Sequence, residues 1–198
     1  MTTASFILSI LALSVSAITM WLTLLRRGTV RMTRPNQIYF GADGAKGLMD
    51  GPAKVFARAT LYSTSKRGRV VEGLWANLSR NVSMQAFPIW VHGDDKLVRG
   101  AGLHVPETGL AMSHHFLPPK GESYIFEAGT HRLQILARLT SSKKPILLLD
   151  EELELSSEQA ATLKSGKAGV YFDYGMTSEK YLPSLHAPVQ EWLESLAR

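Results

Sequence analysis

The chain has 198 residues, enough for one ordinary domain with an appendage and too few for two full domains. With 45% hydrophobic and 20% charged residues it lies in the globular range, which excludes general disorder. The absence of cysteine excludes disulfide staples, thiolate zinc sites and a cysteine nucleophile. The net charge of +5 is local: Arg26, Arg27, Arg31 and Arg34 fall within nine residues, and without them 18 basic residues face 17 acidic ones. A broad basic surface for nucleic acid is therefore not expected.

Residues 4–25 carry no charge. As a helix they extend about 33 Å, against a hydrocarbon core of roughly 30 Å, so this stretch predicts a membrane span. Eleven of these residues are Phe, Ile, Leu or Val, and together they favour insertion by about 3–6 kcal/mol. Val15-Ser16-Ala17 resembles a signal-peptide cleavage site. Two features oppose that reading: residues 1–5 have no Lys or Arg, and the apolar run continues well past Ala17. Trp21, Arg26, Arg27, Arg31 and Arg34 then flank the membrane, and the positive-inside rule places everything after them on the cytoplasmic side of a single-pass membrane protein. Ser5, Ser9, Ala12, Ser16, Thr19 and Thr23 form a stripe of small residues with spacings of 4, 3, 4, 3 and 4. Such a stripe permits close approach of a second helix, and with it a homo-oligomer within the bilayer.

After the span the dominant signal has period two. Val55, Ala57, Ala59 and Leu61 share one face of a strand, as do Leu133, Ile135, Ala137 and Leu139, and Leu147, Leu149, Leu153 and Leu155. Further strands are predicted at 37–40, 70–78, 86–91 and 110–117. Strands punctuated by Gly, Pro, Ser and Asp, with no helices between them, predict a mainly β chain: an immunoglobulin-like antiparallel β-sandwich over residues 28–185. The anchor and its basic flank occupy 1–27. Lys66, Arg67 and Arg69 fall at a hairpin tip. Ser156 and Gln159 spell a capping box before a short helix that stops at Gly166, and "VYFDYG" docks back on the domain. Val189, Trp192, Leu193 and Leu196 give 186–198 an amphipathic helical pattern.

The residue types able to hold a metal collect in one window: His92, Asp94, Asp95, His104, His114 and His115. A zinc site needs three or four side chains converging at about 2 Å on one ion. Neighbours on a strand point to opposite faces, so His114 and His115 cannot serve the same ion. "GDDK" has the composition of a turn whose aspartates bond their own backbone. The glycine-rich 41–51 stretch lacks the Gly-Lys-Ser/Thr order of a phosphate loop, and neither a nucleophile elbow nor a zinc-binding H-E-x-x-H motif occurs. No catalytic residue and no cofactor is expected, and the chain reads as a module for the lipid bilayer and a protein partner. A periplasm-facing domain that binds envelope components and a metal-dependent enzyme built on the histidine window are the alternatives.

The strings "LRRGTVRMTRP", "YSTSKRGRVVEG", "IWVHGDDKLVRGAGL" and "GVYFDYG", in this order, resemble a group of small bacterial proteins with one N-terminal span and a β-rich domain. The resemblance covers most of the chain. It implies that architecture in a bacterial inner membrane and assigns no activity and no site residue.

Overall fold

The computed structural model describes residues 3–25, 28–43, 51–94, 96–140, 142–166 and 168–186. Helix α1 (Thr3–Met20) runs into a π-helical turn, Trp21–Leu25. Thr3–Thr23 has a mean hydropathy of 2.0, none of it is buried, and among the described residues it is the one helix long and apolar enough to cross a membrane. Ser9, Ser14, Thr19 and Thr23 donate to the carbonyls of Ser5, Ile10, Val15 and Thr19 at 2.7–2.9 Å. Three of these donors lie on the predicted stripe and Ser14 lies off it. The helix thus satisfies these hydroxyls itself, and small side-chain size is what the stripe still offers a neighbouring helix.

The strands are β1 (Val30–Met32), β2 (Gln37–Ala42), β3 (Ala53–Ser63), β4 (Arg69–Arg80), β5 (Ser83–Phe87), β6 (Ile89–His92), β7 (Val98–Arg99), β8 (Leu103–Val105), β9 (Leu110–Leu117), β10 (Gly129–Leu139), β11 (Ile146–Leu155), β12 (Gly169–Gly175) and β13 (Lys180–His186), with α2 (Ser157–Lys164) between β11 and β12. They form two antiparallel sheets. The first has the order β13-β12-β2-β3-β9-β6-β7, with β1 also on β3; the second has β11-β10-β4-β5, with β8 also on β4. One apolar core joins the two, Val55, Ala57, Leu61 and Phe116 from the first meeting Leu74, Leu78, Leu133 and Ile135 from the second. Phe40 stacks on Phe126 at 4.9 Å and meets Phe172 edge-on at 5.0 Å, which ties β2 and β12 to the loop before β10.

Three expectations change in detail. The predicted strand 86–91 is two strands. Pro88 has no N–H for a ladder, so pairing stops there, and the chain leaves β4 in the second sheet to pair with β9 in the first. Leu147 faces outward, 53% exposed, because the β10–β11 register shifts between Ile135 and Leu136 and reverses the alternation. "VYFDYG" is itself a full strand, β12, joined to β2 on one side and β13 on the other. The capping box is present: Ser156 Oγ accepts from the backbone of Gln159, whose side chain accepts from the backbone of Ser156. Of the predicted C-terminal helix, His186 closes β13 and the rest lies outside the described residues, as do Arg26, Arg27, Asp95 and most of the glycine-rich stretch.

Candidate functional site

The histidine window folds around the β6–β9 pairing, where Trp90 opposes Phe116, Val91 opposes His115 and His92 opposes His114. The β3–β9 register carries no bulge, so the pleat separates the paired histidines. His114 points inward and is fully buried, while His115 lies half-buried on the outer face, its ring 5.0 Å from that of Phe56. Trp90 Nε1 donates to His114 Nδ1 at 3.3 Å, and the Trp90 ring lies 4.7 Å from that of His92. Accepting at Nδ1 leaves the proton of a neutral His114 on Nε2, which has no hydrogen-bond partner among the described residues. Burial, with His92 and His115 adding to it, holds the His114 pKa down at about 3, and burial also lowers His92. An imidazole enclosed in this way is a packed, neutral part of the core.

Asp94 faces away from that core. Its carboxylate accepts from Ser113 Oγ at 2.8 Å and Ser113 N at 3.2 Å, and both its oxygens meet the Arg58 guanidinium, at 3.1 and 3.4 Å. The Ser113 hydroxyl, with Arg58 behind it, keeps the Asp94 carboxyl below the ordinary carboxylate range. "GDDK" lies between the antiparallel neighbours β6 and β7, with Gly93 at φ 128°, and the Asp94 side chain bonds across to β9 and β3. His104 is on β8 in the second sheet, its ring against Gly68. Among the described residues no three His, Asp or Glu side chains stand close enough to share a metal ion.

The same register builds something the linear sequence does not display. Tyr171, Tyr39, Phe56, His115 and Val91 are successive cross-strand neighbours on β12, β2, β3, β9 and β6, all on the face of the first sheet turned away from the core. Tyr39 and Tyr171 have ring centroids 4.8 Å apart, and His186 meets Tyr171 edge-on at 5.1 Å. The Tyr39 ring lies flat across Gly41 and Gly169, where a Cβ at either glycine would collide with it. Burial raises the Tyr39 hydroxyl to about 12, so it is neutral. A polar row runs alongside: Gln37 donates to Asp173 at 3.0 Å, and Arg58 reaches Ser113 and Asp94. On the other flank Lys54 pairs with Asp43 at 3.0 Å and lies over the Tyr39 ring. Period two by itself puts Arg58 opposite the apolar face of β3 and Ser113 with His115 on one side of β9. Only the non-local pairing sets Phe56 beside His115 and Arg58 beside Ser113.

Of the arginines expected to flank the membrane, Arg31 is exposed on β1. Arg34 is instead held by the domain, pairing with Glu151 at 2.7 Å and lying 4.8 Å over the Tyr174 ring. Trp21 is exposed at the end of the apolar helix. No protein-family model matches the chain, and a search of curated proteins finds no match.

Proposed function

We propose that the chain is a single-pass membrane protein whose immunoglobulin-like domain binds or assembles a protein partner through the outer face of its first sheet. The observation that carries the reading is the aromatic row Tyr171-Tyr39-Phe56-His115, half-buried for the most part and rimmed by Asp173, Gln37, Arg58, Asp94 and Lys54. An aromatic centre with a polar rim is the anatomy of a protein-binding patch. The strand orders support the immunoglobulin-like assignment. With β2, β3, β4, β5, β6, β9, β10 and β11 as strands A, B, C, C′, D, E, F and G, the sheets read A-B-E-D and G-F-C-C′. The apolar, unburied α1 supports the anchor, and the arginines that follow support a cytoplasmic domain in a bacterial inner membrane.

A photo-crosslinker at Phe56 in the full chain, expressed in cells, is expected to trap a defined partner. One at Arg132, on the outer face of the second sheet, is expected not to. Equal trapping at both positions, or none at Phe56, overturns the assignment of the face. A reporter after Arg198 that is active only on the far side of the membrane overturns the orientation and leaves the face intact.

A further inference from the structure

Three loops gather at the end of the domain that receives the chain from α1. Thr29 is stapled to the β3–β4 tip: Thr64 N donates to Thr29 O at 2.8 Å and Thr29 N donates to Thr64 Oγ1 at 2.8 Å. The β10–β11 loop joins them through Thr140 N, which donates to Val70 O at 3.2 Å, and the 106–109 turn joins through Ser63 N, which donates to Pro106 O at 3.0 Å. These loops and β1 bring Arg31, Lys66, Arg67, Lys143 and Lys144 to one end as exposed cations, with Arg69 half-buried beside them; the acids there are Glu72 and Glu107. Leu25 and Thr29 are separated by four peptide units, a reach of at most about 14 Å. Roughly half of that reach is taken up in crossing a headgroup layer some 5–7 Å deep. The cationic end is therefore confined within about a Debye length of the bilayer surface, where anionic lipids attract Lys and Arg.

We infer that this end of the domain is a platform that rests on anionic phospholipid headgroups and fixes one orientation of the domain on the bilayer. The inference depends on the reading of α1 as a span. Held this way, the platform leaves the sheet faces standing off the membrane for a partner.

The chain has no cysteine, so a single Thr108→Cys carries a fluorophore at this end. The full chain is reconstituted in phosphatidylcholine vesicles with or without phosphatidylglycerol, and quenching by headgroup-spin-labelled lipid is measured. Quenching is expected to be several-fold greater with phosphatidylglycerol, and to be lost in high salt and in the triple variant Lys66→Glu, Lys143→Glu, Lys144→Glu. Lys120→Glu with Lys164→Glu, at the opposite end, should retain it. Equal quenching in both lipids, or equal loss in the two charge-reversed variants, overturns the platform. An alkaline carbonate wash separates the two readings. Release of the protein removes the anchor and the platform together, whereas retention without lipid-dependent quenching removes the platform alone.

Discussion

His114 is neutral because its surroundings cannot solvate an imidazolium: it is fully buried, its one hydrogen-bond partner among the described residues is the Trp90 N–H, and burial lowers its pKa to about 3. His131, also fully buried, donates its Nε2–H to the Glu127 carbonyl at 2.7 Å, and burial lowers it to about 4. Both folded pKa values lie below the unfolded value of about 6.5. The stabilisation from neutral burial is therefore complete above that pH and is lost as the pH falls through the folded values. Each histidine adds a slope approaching about 1.4 kcal/mol per pH unit over most of that window. Denaturant midpoints should fall between pH 7 and pH 4, and His114→Phe should remove about 1 kcal/mol per pH unit of that dependence near pH 5. An unchanged slope in His114→Phe would show that His114 does not titrate on unfolding. The linear sequence exposed the pleat that divides His114 from His115, because alternation is a local property. It concealed the Arg58-Asp94-Ser113 cluster, whose members come together only through the β3–β9 register and the turn after β6.

Elements with long alternation or a local punctuation mark were legible. The inward faces of β3 and β10 follow from their apolar period, and α2 from Ser156, Gln159 and Gly166. What was missed has a physical cause in each instance. β1, β7 and β8 are two or three residues long, too short to show a period, and β13 carries Pro183 at its centre. Pro183 is tolerated because β13 lies at the sheet edge, paired on one side with β12, so the lost N–H leaves no gap in a central ladder. At this scale the cap of α2 is the sharpest test. Ser156→Ala should cost about 1 kcal/mol of unfolding free energy and Ser156→Asp close to nothing, since Asp caps as well as Ser. Equal destabilisation by both substitutions in urea titrations would remove the cap from the account.

For the whole molecule, the decisive join is β2 against β12, which turns β2 from an edge into an interior strand. The hydrophobic pattern anticipated two-sided strands and a mainly β chain, but which strand closes which edge is a property of topology and has no local signature. Ending the chain after Gly166 should leave β2 with an open row of backbone donors and acceptors and with Tyr39 deprived of its seat on Gly169 and its contact with Tyr171. Open edges of this kind template self-pairing. Light scattering of the detergent-solubilised truncation should show assemblies larger than the full chain forms, and identical masses would refute this role for β12.

The same join orders events in time. Phe40 leaves the ribosome 130 residues ahead of Val170, its partner in the finished sheet. At about 5–20 residues per second the interval is on the order of ten seconds. Throughout it the nascent chain carries a bare strand edge and a Tyr39 ring without Gly169 and Tyr171 beside it. Protection during synthesis, by a chaperone or by the ribosome surface, is thus needed most at β2, the strand that looks best enclosed once the protein is complete.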